Sequence, residues 1–273
     1  MTNLIGLHID STPETLSNEI EKYKNHCGII QLFVSKAKKN IIFYDELKNL
    51  IQKYNLKVSV HISYTINLSK DSTKFTWWIH QMADEIKIAE NIGAFVVVVH
   101  LGKKLDLEID VALNNMYINL IKVVSLIQKT KIKILLETST GQGSETLFKI
   151  EDLAKFYSKL KENKFLTNRI GICLDTCHIF NAGYDISNKK KIKEYLDKFE
   201  RLIGINEIKL IHLNDSKNKV NSKLDRHENI NYGYIGKESL IEITKFFTKL
   251  GVSIILETPD KYIEEDLKLL LTL

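Results

Sequence analysis

The 273 residues predict an α/β protein: a single-domain (β/α)8 TIM barrel spanning residues 1–273. Three observations point to it: eight short β-branched runs, amphipathic helical stretches between them, and a length close to the roughly 250 residues such barrels take. The runs are 4–9 (LIGLHI), 28–34 (GIIQLFV), 57–61 (KVSVH), 94–100 (AFVVVVH), 132–137 (IKILLE), 169–175 (RIGICLD), 207–213 (EIKLIHL) and 252–257 (VSIILE). Near-continuous apolar strands of this kind sit in a parallel sheet covered on both faces. The cover comes from 41–54, 73–92, 108–130, 146–163, 189–204 and 237–250. In the last of these, Leu240, Ile241, Ile243, Phe246, Phe247 and Leu250 form one broad apolar face. A doubly wound open sheet is the competing arrangement, yet the first strand-to-helix turn, IDSTPET, has none of the glycines a nucleotide-binding turn needs.

Composition narrows the class. With 44% hydrophobic and 27% charged residues and only 2 Pro, the chain reads as one globular unit without a linker. The net charge of +5 is too mild to identify a partner by itself, although Arg169, Arg201 and Arg226 are the only arginines among 39 basic residues. Three cysteines (Cys27, Cys173, Cys177) make no disulfide framework and fit a reducing compartment. The longest apolar run, Ala94 to Val99, is far below the roughly 18 residues of a membrane span. The opening MTNLIGLHID has no signal-type pattern. A soluble intracellular protein without membrane contact is expected.

The strand ends carry the chemistry. Strand three closes on His61, four on His100, five on Glu137, six on Asp175, seven near His212 and eight on Glu257, with one βα unit between successive residues. In a barrel these ends converge on the C-terminal face, where active sites are built. One histidine closing a strand is usually a hydrogen-bonded rim residue; six metal-type side chains closing six consecutive strands are a site. His178 follows in the loop after strand six, and Asp225 and His227 lie in the long loop after strand seven. Five imidazoles and four carboxylates favour Zn²⁺, with Mn²⁺ or Fe²⁺ as alternatives, over Ca²⁺ or Mg²⁺. At about three protein ligands per catalytic ion, nine residues serve three ions. Cys173 lies inside a strand and is expected to pack as a small hydrophobe.

The blocks HISYTINL (61–68), ETSTGQGS (137–144), GICLDTCHIFNAGYDI (171–186), HLNDSKNKVNSKLDRHENINYGYIG (212–236) and LETPD (256–260) resemble endonuclease IV, a family of zinc-dependent apurinic/apyrimidinic DNA repair endonucleases. The resemblance covers essentially the whole chain. It implies three zinc ions per chain, Mn²⁺ being the alternative at some sites. His61 and His100 would hold the first, Glu137 would bridge to the second, Asp175, His212 and Glu257 would complete the second, and His178, Asp225 and His227 would hold the third. Glu137, Asp175 and Glu257 would be catalytic. Tyr64 occupies the place of a tyrosine that the family inserts into DNA. Lys38 or Lys39, in VSKAKKN, stands where the family often has a stacking Arg, keeping the charge without the planar guanidinium. His100-Leu101-Gly102-Lys103 departs from the family's His-Pro-Gly-Ser, Ile62 replaces an Asp, and the segment after Asp225-Arg226-His227 reads Asn231-Tyr232-Gly233.

The implied activity is hydrolysis of the phosphodiester 5′ to an abasic site in double-stranded DNA, leaving a 3′-hydroxyl, with 3′-phosphodiesterase activity as an extension. A monomer is expected. Clustered lysines after strands two, four and seven (Lys36, Lys103, Lys104, Lys217, Lys219, Lys223) fall on the ligand face and could track phosphates. The alternatives are a xylose-isomerase-like sugar isomerase or epimerase, which has no use for a third ion, and a metal-stabilised DNA-binding scaffold without turnover.

Overall fold

The computed structural model describes residues 4–9, 12–34, 41–72 and 77–273. In chain order the first half runs β1 (Ile5–Ile9), α1 (Pro13–Tyr23), β2 (Ile29–Phe33), α2 (Ile41–Lys53), β3 (Lys57–His61), α3 (Trp77–Asn91), β4 (Val96–His100), α4 (Ile109–Leu126) and β5 (Lys133–Glu137). The second half runs α5 (Ile150–Glu162), β6 (Ile170–Asp175), α6 (Thr176–Ala182), α7 (Lys189–Leu202), β7 (Ile208–His212), β8 (Asp215–Ser216), β9 (His227–Glu228), α8 (Lys237–Lys249), β10 (Ser253–Leu256) and α9 (Ile263–Leu271). Eight strands close into an all-parallel barrel in chain order, β10 returning to pair with β1. The expected barrel is present, with every expected strand in place.

Side chains alternate in and out along each strand, which builds two apolar layers. Inside the barrel, Ile29, Val96, Val98, Leu135, Cys173, Leu210 and Ile255 form one cluster. Outward residues such as Ile30, Val97, Leu136 and Ile254 pack against the helices. Helix α7 shows how the outer layer is made: Ile192, Tyr195 and Phe199 recur at helical spacing and are buried, while its lysines face out. Gly6 takes an inward position on β1 where a Cβ would stand 1.6 Å from the Ile29 carbonyl oxygen, so only glycine fits there.

The same alternation carries the site. Two residues beyond inward-facing Ser59, Val98, Leu135, Cys173, Leu210 and Ile255 come His61, His100, Glu137, Asp175, His212 and Glu257. Parallel pairing sets His100 beside Glu137 and Asp175 beside His212. The second pair depends on a register shift between Ile172 and Cys173. Without that bulge, the pairing of Ile172 with Ile208 would continue to Asp175 with Ile211, an outward position; the extra residue restores the level of the two site residues.

Two local expectations need correction. His178 is on helix α6, which begins directly after β6, and not in a loop. Asp225-Arg226-His227 is not plain loop either, because His227 starts β9, which pairs antiparallel with β8. Among the described residues, no helix is long and apolar enough to cross a membrane.

Candidate metal centre

All nine side chains meet at the C-terminal mouth of the barrel, in three groups whose ligand atoms lie within 4.8 Å of one another. His61, His100 and Glu137 form one group, Glu137, Asp175, His212 and Glu257 a second, and His178, Asp225 and His227 a third. Glu137 belongs to two. Its Oε2 is 3.3 Å from His61 Nε2 and 3.4 Å from His100 Nδ1, and its Oε1 is 2.8 Å from His212 Nδ1. Glu257 Oε2 lies 3.1 Å from the same His212 nitrogen. In the third group, Asp225 Oδ1 is 3.2 Å from both His178 Nε2 and His227 Nε2. Glu137, Asp175 and His212 are almost completely buried.

The residues present fit transition-metal ions. An ion with tetrahedral ligands at about 2.0–2.2 Å separates them by about 3.3–3.6 Å, close to the spacings above. His178 Nε2 and His227 Nε2 are buried and find no hydrogen-bond partner although Asp225 is near. Orphaned buried nitrogens are costly, and an ion at these positions would satisfy them. The ring orientations agree. His61, His178 and His227 turn Nδ1 to the carbonyl oxygens of Ile62, Thr138 and Glu257, at 2.8, 2.7 and 3.1 Å. A carbonyl only accepts, so each ring carries its proton there and leaves the Nε2 lone pair for a metal.

Further contacts hold the carboxylates. Asp175 caps α6 by accepting from the His178 backbone N–H at 2.8 Å. Asn214 donates to Asp175 Oδ2 at 2.7 Å and accepts from the Glu257 backbone N–H at 2.9 Å. The long loop is anchored by Asp215, which is fully buried and accepts from the N–H groups of Ser216, Asn231, Gly233 and Ile235 at 2.8, 3.2, 3.2 and 2.9 Å. A Cβ on Gly233 would come within 2.4 Å of the Asp215 carboxylate, which explains the glycine. Gln142 of the loop after β5 accepts from the Asp225 backbone N–H at 2.8 Å. Asp215, Asn214 and Gln31 escaped the sequence reading; the only signal was that each is a polar residue inside or next to an apolar run.

Cys177 adjoins Asp175 and His227 in a fourth combination. Its thiol is pushed up to about 12 by burial, donates to the Arg226 carbonyl and accepts from Asn181, so it is a satisfied packing residue. Cys173 is fully buried in the barrel interior, as expected of a small hydrophobe. Tyr64 is 76% exposed on the rim, its ring 6.2 Å from Phe33, which in turn is 5.2 Å from His61. Lys36, Lys38 and Lys39 lie outside the described residues. Several of the other lysines are engaged within the protein. Lys103 pairs with Glu145, Lys104 donates to the carbonyls of Leu105 and Leu107, and Lys223 donates to Ala182 while lying over Phe148. Lys217 and Lys219 are exposed.

The charge balance of the metal-free cluster makes a measurable prediction. Burial opposes a charge on His227, but Asp175 and Asp225 prevail and raise it to about 9. His178 and His212 are likewise raised well above the ordinary imidazole value. Burial is overcome by Asp175 and Asp225 at His178, and by the carboxylates of Glu257 and Glu137 at His212. Because the folded value of His227 exceeds the unfolded one of about 6.5, the stability that it adds to the metal-free fold is complete below about pH 6.5 and lost as pH rises through about 9. An ion on Nε2 displaces that proton, so zinc uptake at pH 7 releases protons and apparent affinity climbs with pH toward about 9. Calorimetric zinc titrations in two buffers of different ionisation enthalpy measure the release; identical heats would contradict it.

Residues 23–273 match the sequence pattern of the xylose isomerase-like TIM barrels. A putative endonuclease 4 of Acanthamoeba polyphaga mimivirus is 35% identical over 95% of this chain and 86% of its own length. A probable endonuclease 4 of Mesoplasma florum is 34% identical over 94% and 85%. The crystal structure of endonuclease IV from Thermus thermophilus superposes with a TM-score of 0.80 over 98% of both chains, at 23% identity. With relatives this similar along nearly its full length and the barrel's mouth lined by groups that can hold metal, the chain belongs to the endonuclease IV family of DNA-repair nucleases, within the xylose isomerase-like TIM barrels.

Proposed function

We propose that the protein hydrolyses the phosphodiester bond 5′ to abasic sites in double-stranded DNA, leaving a 3′-hydroxyl, with three transition-metal ions, zinc in the first instance, held by the three groups of ligands. The observation that carries this reading is the third group: His178, Asp225 and His227 converge beside two groups already sharing Glu137. Sugar isomerisation needs one or two ions and leaves this third group without a task. The near absence of cysteine and the open barrel mouth argue against a closed structural site.

When bound, such ions lower the pKa of water from about 15.7 toward 7 and neutralise charge on phosphoryl oxygens. The chain's own residues arrange the rest. Glu137 offers one oxygen to each of two groups and so sets their separation. Gln31 holds the Glu257 carboxylate and Asn214 that of Asp175, while Asn214 also fixes the Glu257 backbone, so neither carboxylate is free to swing toward an incoming phosphate. This preorganisation leaves little to rearrange at the moment of reaction. Tyr64, exposed next to this centre, fills the gap left by the missing base, where unstacking costs least.

A duplex carrying one synthetic abasic site, labelled at its 5′ end, tests the reading. Metal-replete protein is expected to nick it once on the 5′ side. Chelation should abolish the cut, and Zn²⁺ or Mn²⁺ should restore it. A metal-replete protein that binds the lesion without cutting would support a scaffold, and one that interconverts ketoses and aldoses would support the isomerase. Tyr64→Ala should lower kcat/KM on this substrate about 10- to 100-fold, the worth of one base-sized stacking contact. Its melting should barely change, because the side chain is exposed. Unchanged kinetics would remove Tyr64 from the DNA contact.

A further inference from the structure

We infer that Gln31 is a positioning residue of the centre, whose amide fixes the ring of His212 and the carboxylate of Glu257 in the orientations that ligation requires. This rests on the proposed metal-dependent function and adds a residue that neither the strand-end pattern nor the family resemblance marks. Gln31 lies on β2, between Ile30 and Leu32, and faces into the barrel with no exposed surface. A buried primary amide is tolerated only when its hydrogen bonds are made. Here all four are. The amide nitrogen donates to Glu257 Oε1 at 2.7 Å and to His8 Nδ1 at 3.0 Å. The carbonyl oxygen accepts from Ser59 Oγ at 3.2 Å and from His212 Nε2 at 3.0 Å.

The direction of this network is forced. An ionised carboxylate only accepts, so the amide nitrogen faces Glu257 and the oxygen faces His212. The oxygen in turn requires a proton on His212 Nε2. That leaves the Nδ1 lone pair directed at the space it shares with Glu137 Oε1, 2.8 Å away, Glu257 Oε2, 3.1 Å away, and Asp175 Oδ2, 4.0 Å away. This sense is opposite to that of His61, His178 and His227, whose backbone carbonyls leave Nε2 bare. For His212 the glutamine takes the carbonyl's part and, with the same group, secures a carboxylate of the same cluster. Outer partners of this kind typically change metal affinity about 10- to 100-fold.

The test compares wild type with Gln31→Met, which keeps the volume and removes the hydrogen bonds, and Gln31→Glu, which keeps an acceptor for His212 but cannot donate to Glu257. Each is loaded with zinc and then equilibrated against increasing concentrations of a chelator. Both variants are expected to lose one ion per chain at about 10- to 100-fold lower chelator than wild type, while the remaining ions leave at unchanged concentration. In zinc-loaded wild type, proton NMR should show a hydrogen-bonded His212 Nε2–H that Gln31→Met loses and Gln31→Glu retains. That resonance separates positioning from a general packing defect, which would move all ions together. Folded variants with wild-type release curves and an unchanged His212 signal would overturn the role of Gln31 alone. A wild type that takes up no zinc would overturn the reading of the whole centre. Should Gln31→Met melt far below wild type, the isosteric Gln31→Glu decides by the same curves.

Discussion

Glu257→Gln should leave the barrel folded and reduce cleavage of an abasic duplex by about 10³-fold or more. The side chain follows directly on β10 at the mouth, so its size matters to the fold less than its charge matters to the site. Its Oε2 faces His212 Nδ1, and its Oε1 accepts from Gln31. Despite burial, which favours the neutral acid, His212 holds the carboxyl well below the usual carboxylate range. An amide there removes one negative charge from the second group of ligands. It also brings an N–H against either the Gln31 amide or the space the ligands share. Removing one preorganised electrostatic contact at a reacting centre costs about 10²–10³ in rate, and a lost ligand disturbs the neighbouring ion through Glu137 as well. Single-turnover cleavage together with thermal melting measures both halves of the prediction. A near-normal rate would show that Glu257 lies outside the catalytic apparatus.

The second large effect concerns the loop that carries Asp225 and His227. Asp215→Ala should destabilise the protein by about 3–5 kcal/mol, or release the loop at a lower local cost. Removing the carboxylate orphans the buried backbone N–H groups of Ser216 and Ile235 and the more accessible ones of Asn231 and Gly233; each buried donor left unpaired costs about 1–3 kcal/mol, and less where water enters. The apolar side chains of the barrel strands make no contact with this carboxylate, so the barrel itself should remain. Hydrogen exchange should therefore speed up in residues 213–236 while β1 to β6 stay protected. Zinc retention by His178, Asp225 and His227 should fall along with it. An Asp215→Ala protein with wild-type melting, exchange and metal content would show that the loop is held by other contacts.

The barrel was legible because each strand is a short apolar run followed by an amphipathic segment, and the six strand-end residues of the candidate centre were legible for a related reason. A side chain two residues beyond an inward-facing apolar position also faces inward, so a run such as VVVVH or KILLE announces where its last residue points. The helix that carries His178, TCHIFNA, is seven residues long and continuous with a strand, too short to show a period that distinguishes it from a loop. The pairing of β8 with β9 spans two residues on each side, which leaves no pattern at all. Gln31 was hidden differently. A single polar residue in GIIQLFV reads as variation within a buried strand until closure of the barrel brings β2 beside β10 and β7 through the shared interior. The role of Asp215 depends on a turn that returns sixteen to twenty residues later, and such a return is set by loop geometry rather than by periodicity. Lys38 and Lys39 fall outside the described residues; Tyr64, the aromatic of the proposed DNA contacts, lies exposed on the rim.

Elemental analysis of purified, zinc-loaded and desalted protein is the most direct measure of whether nine side chains scattered from residue 61 to residue 257 act as one centre. About three transition-metal ions should stay bound per chain, and His178→Ala combined with His227→Ala should reduce that number by one. A single retained ion, or none, would contradict the account.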